Sequence, residues 1–328
     1  MHTLQETTQE TIKGIDRCPT PAMLFGLDGK ILGANAEASS LFTPLRCRDD
    51  LPAALTAGLD EALSNGCRSF SCWNAQGRLW RRALYPEYLD PQRLPQPTCA
   101  RLRLETKAGR TTPESLAVNL YRELRDGCIP LSSYLQDPAF VARHRNEIGF
   151  AEAREQAEQY LFARTLRVAE ALLALAGGFG GEKVEVAIRS LIAEAVEAND
   201  RFYASQFRDS AGTMQLNYQG SESVFTTCNL RRLKTLVAEI LVDVRRWSRS
   251  VSVLWAEDRN MLQVPALKIE FCFQELPHTL SHLTSRNEGL GWSVASEIVL
   301  DAMGYVEIRP GKPASLRIWL PATLPAGF

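Results

Sequence analysis

The sequence lacks a long apolar run, a Cys-x-x-Cys pair and a surplus of charge of either sign. In its 328 residues no stretch reaches the roughly 18 consecutive apolar residues of a membrane-spanning helix. The opening segment Met1–Glu6 has neither the basic nor the apolar region of a signal peptide. A net charge of -1 gives no general attraction to nucleic acid or to anionic membranes. We therefore expect a cytoplasmic protein that contacts neither membranes nor nucleic acid directly.

Metal-ligating residues are also sparse. The eight cysteines are scattered without the spacing of a zinc site, and a reducing cytosol does not favour disulfides. Cys67 and Cys72 lie close enough in sequence to form a redox-sensitive pair, although buried, inert thiols are the interpretation we prefer. His278 and His282 stand at i and i+4, but no third ligand accompanies them. We therefore expect no metal bound by these side chains.

The composition, 45% hydrophobic and 23% charged, is ordinary for a soluble protein with real cores, and the length suggests two or three domains.

In residues 1–105 an Asp28-Gly29 turn joins two apolar runs, which predicts a β-hairpin. A helix should follow, with Asn35 as a turn and capping residue. Later strands are predicted at Arg68–Trp73, Leu79–Tyr85 and Cys99–Glu105.

The hairpin, with Asp28, Gly29, Asn35 and Ala36 in place, resembles the opening of a PAS domain. That resemblance implies a sensory domain whose sheet often encloses a small ligand. No haem-ligand or flavin-cysteine motif stands out, and we interpret the aromatic residues of this region as core packing rather than as a pocket lining. Those aromatic residues are Phe70, Trp73 and Trp80.

Two long helices are predicted for residues 113–180. Thr112-Pro113-Glu114 is a helix start, and the first helix should run to about Gln136, where Asp137-Pro138 breaks it. The second helix should cover about 147–176, because its apolar residues alternate steps of four and three. Two such helices do not bury their seams alone, so the pattern predicts a four-helix bundle made by two copies. The seam of the second helix consists of Leu161, Thr165, Val168, Leu172 and Leu175.

Residues 181–328 are predicted to form an α/β sandwich. A strongly amphipathic helix is indicated by apolar residues at i, i+3, i+4, i+7, i+8 and i+11, starting at Leu233. Strands are predicted around it and after it, and a last helix covers about 290–302. The predicted strands are Met214–Tyr218, Ser223–Thr227, Val251–Trp255, Leu267–Phe273, Tyr305–Ile308 and Ser315–Leu320.

Near the end of the chain, Asn287–Val299 reads Asn-Glu-Gly-Leu-Gly-Trp-Ser-Val-Ala-Ser-Glu-Ile-Val, and Ser315–Pro321 forms a terminal strand. These segments resemble the last ATP-binding box and the final strand of sensor histidine kinases. The resemblance implies an α+β multidomain protein of three parts. These parts are a PAS-like mixed domain, a two-helix dimerisation hairpin and a C-terminal α/β sandwich like the histidine-kinase ATPase domain.

The family's phosphorylated histidine is replaced in this chain. The segment Arg122–Cys128 matches that motif without a gap and places Arg122 at the acceptor position and Glu123 at its acidic neighbour. Aligning Pro130 with the family's proline instead places Arg125 there. A guanidinium stays protonated and is a poor nucleophile, so neither arginine can accept a phosphoryl group. His144 lies on the connection between the helices, and we do not expect it to be the acceptor.

The nucleotide-binding boxes are altered as well. In Glu239–Ser248, Asp243 replaces the family's magnesium-binding asparagine and Arg246 matches its lysine. An aspartate oxygen suits Mg²⁺, but its charge opposes a triphosphate. The adenine-reading strand end, Phe271–Pro277, has neither the aspartate nor the glycines of the family, and Gln274 is the amide nearest to that role. A helix N-terminus after Gly289 and Gly291 could hold phosphate, although tight helix–sheet packing explains both glycines.

Three functions follow from this pattern. The first is a catalytically dead histidine-kinase homologue without a cofactor, which forms a homodimer and binds a response regulator or a sensor kinase through Arg122, Glu123, Arg125 and Asp126. The second is an atypical kinase that binds ATP and Mg²⁺ through Asp243, Arg246, Gly289 and Gly291, or a phosphatase that uses Glu123 and Asp126. The third is a ligand-gated binding module. The first function is favoured because the apolar periodicity of the elements is intact, whereas the residues at the family's acceptor, magnesium and adenine positions are altered.

Overall fold

The computed structural model describes residues 12–45, 47–75, 78–88, 97–106, 137–144, 150–176, 184–204, 215–248, 250–260, 264–273 and 290–322. Over these ranges the protein is α+β, with a ten-stranded sheet, a two-stranded sheet and helices packed on them. No helix in these ranges is both long and apolar enough to cross a bilayer.

The elements are numbered in chain order. The strands are β1 (Ala22–Gly26), β2 (Ile31–Ala34), β3 (Arg68–Ala75), β4 (Arg78–Glu87), β5 (Cys99–Thr106), β6 (Val184–Val186), β7 (Gln215–Gln219), β8 (Val224–Thr226), β9 (Ser250–Arg259), β10 (Pro265–Phe273), β11 (Tyr305–Arg309) and β12 (Ala314–Pro321). A short helical segment at residues 12–16 precedes β1. The numbered helices are α1 (Ala36–Leu41), α2 (Ala53–Thr56), α3 (Leu59–Asn65), α4 (Pro138–His144), α5 (Phe150–Ala176), α6 (Ile188–Ala204), α7 (Leu230–Trp247) and α8 (Leu290–Asp301).

The predicted N-terminal hairpin is present, with β1 and β2 antiparallel across the turn at Asp28-Gly29. Asn35 caps α1, because its Oδ1 accepts the backbone N–H groups of Ala38 at 3.0 Å and of Ala22 at 3.1 Å. Its Nδ2 donates to two carbonyl groups of the preceding segment, at Cys18 and Thr20. This one amide therefore joins the helix start, the first strand and the chain before it, which confirms its capping role.

The first core lies between β1, β4, β5 and the short helices α1 to α3. Trp80 is buried in it, Trp73 packs against it, and the rings of Phe42 and Trp73 lie 5.6 Å apart. The aromatic side chains thus belong to packed structure, as predicted. The fully buried aliphatic and aromatic residues include Met23, Phe25, Leu55, Leu59, Leu84, Leu102 and Leu104.

Helix α5 confirms the predicted second long helix, with the start at Phe150. The segment around Asp137-Pro138 also forms α4, which had not been predicted, and the Asp137 side chain accepts the N–H of Ala139 at 2.9 Å. The predicted first helix, 113–136, lies outside the described residues. Of the residues predicted to form the apolar seam of α5, only some are buried within one protomer. Val168 is buried, whereas Leu172 is largely exposed, because the C-terminal turns of α5 pack their Val168, Ala171 and Ala174 face against α7 and α8.

The C-terminal core is formed by α6, α7 and α8 against β9, β10, β12 and β11. The pattern that predicted α7 is confirmed, since all six of its periodic apolar residues are buried; they are Leu233, Leu236, Val237, Ile240, Leu241 and Val244. Asn229 caps this helix through the N–H groups of Arg231 and Arg232. Strand β7 pairs with β9 in parallel, and β6 pairs with β8 in the separate small sheet.

The large sheet runs across both parts of the chain in the order β2-β1-β5-β4-β3-β11-β12-β10-β9-β7. Its two halves meet where β3 pairs antiparallel with β11, in a register that sets Ser69 opposite Glu307 and Ser71 opposite Tyr305. This pairing joins strands more than two hundred residues apart. The domain boundaries proposed from the sequence stay predictions, but the hydrogen-bonded sheet does not stop at them.

Candidate functional site

One flank of α7 carries the residues that match the magnesium box. Glu239 and Asp243 are one helical turn apart, so their side chains leave the same side of the helix. Both are buried, and Asp243 is only 4% exposed. The flank is therefore not an open, water-filled surface, although it lies beside the hydrophobic seam that packs on the sheet.

Arg167 of α5 reaches this flank and pairs with Glu239. Its Nε donates to Oε1 at 2.8 Å and its Nη2 donates to Oε2 at 2.6 Å, the two-pronged geometry of a strong guanidinium–carboxylate pair. Both side chains are almost fully buried. Breaking such a pair by removing one partner leaves an uncompensated buried charge and is strongly destabilising. Both carboxylate oxygens of Glu239 therefore bind Arg167, and the pair joins α5 to α7.

A second ion pair ties α7 to α8. Arg232 is buried, and its Nη2 donates to Oδ2 of Asp301 at 2.9 Å. Helix α8 begins at Leu290, so Gly291 lies in its first turn. The helix buries Val294, Ala295, Ile298 and Val299 against the core. The backbone N–H groups and the dipole at such a helix start favour an anion. Gly289 lies outside the described residues.

The described residues that match the family's nucleotide-binding boxes do not fit the magnesium site that the resemblance implies. A hard cation such as Mg²⁺ keeps several waters and is held through one or two accessible carboxylates. Here the Glu239 carboxylate is occupied by Arg167, and Asp243 is buried and engaged in interactions within the protein. The side chain of Arg246, and Gln274 beyond the end of β10, lie outside the described residues. We therefore derive no chemical step through Mg²⁺ or ATP.

The structure brings some predicted site residues together and leaves others untested. Asp243 of α7 and Gly291 of α8 lie on helices that pack against each other. The predicted partner-binding residues Arg122, Glu123, Arg125 and Asp126 lie outside the described residues, as do His278 and His282. His144 is the last residue of α4.

Sequence reasoning missed the polar contacts that organise this region. Arg167 stands directly before Val168, a predicted seam residue, and a charged side chain beside an apolar seam is a recognisable signal for a buried ion pair. Its partner could not be found that way, because Glu239 lies 72 residues later on another helix. The same holds for Arg81 of β4, which pairs with Glu297 of α8.

A cleft of about 380 Å³ opens where the two halves of the large sheet meet. Its charged side chains are paired with one another or with neighbours: Nε of Arg317 donates to Oε1 of Glu270 at 2.6 Å, and Nη2 of Arg309 lies 3.4 Å from Oε2 of Glu61. The cleft walls are thus an ion-pair network. The lining residues are Asn65, Cys67, Glu270, Cys272, Arg309, Pro310, Pro313, Ser315 and Arg317.

The chain resembles solved histidine kinases at low sequence identity. Histidine kinase ThkA, solved in complex with the response regulator TrrA, is 13% identical at a TM-score of 0.39, over 93% of this chain and 96% of that one. AdeS from Acinetobacter baumannii is 15% identical at a TM-score of 0.43, over 62% and 98%. The blue-light activated histidine kinase EL346 from Erythrobacter litoralis is 13% identical at a TM-score of 0.29, over 95% and 98%.

No protein-family model matches the chain, and no curated protein matches it. At the identities and TM-scores of the solved structures, the likeness assigns neither an activity nor a partner to this protein. The α+β architecture follows from the observed helices and strands, independently of these neighbours.

Proposed function

We propose that this protein is a non-catalytic signalling protein of the histidine-kinase type, which forms a homodimer and binds a response regulator or a partner kinase in the cytoplasm. In this role the fold of a kinase is kept as a docking scaffold. A regulator that docks on the hairpin would find Arg122 or Arg125 in place of an accepting histidine, and it would be held without phosphoryl transfer.

The Arg167–Glu239 pair is the observation that carries the non-catalytic part of the proposal. It fills the first position of the magnesium box with a carboxylate that is bound on both oxygens by a neighbouring helix. Asp243, one turn later, is buried on the same flank. A divalent cation with its triphosphate would have to displace Arg167 to reach the carboxylate of Glu239.

The outer face of α5 supports the homodimer. Phe162, Leu166 and Leu173 follow one another at i, i+4 and i+11, and Leu172 flanks them. All four are exposed, with Phe162 at 70%. An apolar stripe of this kind on a long helix is typical of a helix-bundle interface, and the predicted first helix and a second copy of the chain would cover it.

Nucleotide binding tests the non-catalytic part. We expect titration calorimetry with ATP and Mg²⁺ to give no heat, and thermal unfolding to be unchanged at millimolar nucleotide. Gly291→Trp, which places a bulky ring in the first turn of α8, is the matched control. Micromolar binding that disappears in this variant would overturn the proposal in favour of an atypical kinase.

Sedimentation tests the dimer. Phe162→Glu together with Leu166→Glu should raise the dimer dissociation constant by at least about a hundredfold, because two charges would be buried in an apolar interface. Leu27→Glu, at an equally exposed leucine of the N-terminal hairpin, should leave it unchanged. A wild-type chain that sediments as a monomer at micromolar concentration would contradict this part.

Docking is tested with purified response regulators from the same genome, each pre-loaded with phosphate. We expect one of them to co-elute with the chain and to keep its phosphate, and Arg122→Glu with Arg125→Glu to abolish co-elution. Phosphate that moves onto the chain, or no regulator or kinase that binds, would exclude the proposed role.

A further inference from the structure

The pairing of β3 with β11 joins two units of the protein, the N-terminal unit (described residues from 12 to 106) and the C-terminal unit (described residues from 184 to 322). Strand β3 is the last strand of one half of the sheet, and β11 is the first strand of the other half. The two strands pair antiparallel over four residue pairs, from Arg68 opposite Ile308 to Ser71 opposite Tyr305. Phe70 of β3 packs against the C-terminal core, and its ring meets Tyr85 edge-on at 5.6 Å. The two units thus share side-chain packing as well as backbone hydrogen bonds.

Arg82 of β4 binds the helical segment of the N-terminal unit. It is 1% exposed, and its Nε donates to the carbonyl of Leu55 at 2.8 Å. Its Nη2 donates to the carbonyl of Ala57, and its Nη1 donates to Oγ of Ser69 at 3.0 Å. These carbonyls belong to α2 and its C-terminal cap. Burial lowers the pKa of Arg82, and the nearby Tyr305 of β11 opposes that shift.

Arg81, the preceding residue, binds the opposite unit. Successive side chains of a strand point to opposite faces, so Arg81 and Arg82 leave β4 in opposite directions. Arg81 Nη2 donates to both carboxylate oxygens of Glu297 on α8, and both side chains are largely buried. Cys72 of β3 adds a contact to the same helix, with its Sγ donating to the Leu300 carbonyl at 3.3 Å.

We infer that β3 and β4 are a coupling element that transmits displacement of the α2–α3 segment to α8, the helix that starts at the glycine box. Arg82 fixes β4 to the carbonyls of α2, and Arg81 fixes the same strand to Glu297. A shift of α2 that disturbs Arg82 therefore also loosens α8. This connection runs through the sheet and does not pass through the helical hairpin or require a bound nucleotide.

Hydrogen exchange on the full chain tests the coupling. Arg81→Gln and Glu297→Gln should each raise the amide hydrogen-exchange rate of residues 290–301 by about tenfold. This is the effect expected when one hydrogen bond to a charged group is lost. Exchange in 230–247 of α7 should stay unchanged. Arg48→Gln, which removes the exposed pair with Asp60 in the same N-terminal unit, is the matched control and should leave 290–301 unaffected.

Transmission is tested by disturbing α2 itself. Leu55→Ala should raise exchange in 53–65 and also in 290–301, and the second effect should vanish in an Arg81→Gln background. If Leu55→Ala does not fold, Ser69→Ala removes only one acceptor of Arg82 and serves in its place. An effect confined to 53–65, or an equal effect on 290–301 with and without Arg81, would overturn the inference.

Discussion

Two buried carboxylates near the junction of β3 and β11, Glu270 and Glu307, form ion pairs with partly exposed arginines. Glu307 of β11 is fully buried and contacts Arg309 and Arg317, and Arg317 continues to Glu270 of β10. A buried pair of this kind costs desolvation, and its benefit depends on geometry and on hydrogen bonds to the remaining atoms. We expect such residues to specify which strands lie side by side more than they add net stability.

Acid titration should reveal how much the ion pair between Glu270 and Arg317 contributes to stability. Burial by itself raises the pKa of Glu270, but the Arg317 guanidinium and Lys268 lower it below its ordinary value. A carboxyl whose folded pKa is depressed stabilises the protein above its unfolded pKa, about 4.3 for Glu, and loses that contribution as the pH falls through the folded pKa. The stability difference between wild type and Glu270→Gln should therefore be largest near pH 7 and shrink below pH of about 4.

Urea unfolding at several pH values measures this difference. Asp60→Asn is the control, because Arg48 lowers the pKa of Asp60 as well, but that pair is exposed and screened by solvent. A Glu270→Gln difference that does not change with pH would show that the Arg317 contact contributes through packing alone.

Thiol reactivity should follow burial. Burial raises the pKa of Cys67 to about 12 and those of Cys99 and Cys228 to about 11. The thiolate is the nucleophile, so these three should resist iodoacetamide at pH 8, whereas the exposed Cys47 should be alkylated before them. Peptide mass spectrometry over time checks the order, and rapid alkylation of Cys67 in the folded chain would contradict its burial.

At the scale of the element, the end of α8 depends on one close approach. The N–H of Gly304 donates to the Val299 carbonyl at 2.8 Å, which closes the last turn after Met303 in the left-handed region at φ 53°. A Cβ at Gly304 would lie 2.6 Å from the backbone oxygen of Trp319 on β12. That oxygen is held in the sheet and has little freedom to move.

Gly304→Ala should destabilise the protein by about 2 kcal/mol, since overpacking against fixed backbone forces a shift of the helix or the strand. Gly14→Ala is the matched control, because a Cβ there meets nothing within 4 Å and residues 12–16 are helical. The control should be neutral or stabilising. Thermal unfolding of both variants measures the contrast, and equal melting temperatures would contradict the close packing of α8 on β12.

At the scale of the whole molecule, the shared sheet should make the two units unfold together. Phe70 belongs to the N-terminal unit by sequence but packs against the C-terminal core. Phe70→Ala should therefore cost about 2 kcal/mol or more and should weaken hydrogen-exchange protection in both β4 and β12. Leu27→Ala, at an exposed position of the hairpin turn, should change neither. Loss of protection confined to β3 and β4 would mean that the halves fold independently.

The sequence by itself determined most of the elements of this protein. Period-2 and period-3.6 apolar patterns are local, so β1, β2, β9, β10 and α7 follow from residues close together in the chain. The capping role of Asn35 is local in the same sense, and so is the resemblance that predicts Arg122 in place of an acceptor histidine. The boundaries differ by a few residues because strand ends are set by pairing, as for β9, which runs to Arg259 opposite Pro265.

Only the tertiary structure decided which elements meet. The pairing of β3 with β11, the reach of Arg167 to Glu239 and the partners that Arg81 and Arg82 find on α8 and α2 depend on strand order and helix packing. A local pattern cannot encode a partner that lies 72 or 216 residues away. The expectation that Arg122 stands where the resemblance places an accepting histidine therefore needed only the sequence, whereas the pairing of Arg167 with Glu239 came from the packing of α5 on α7.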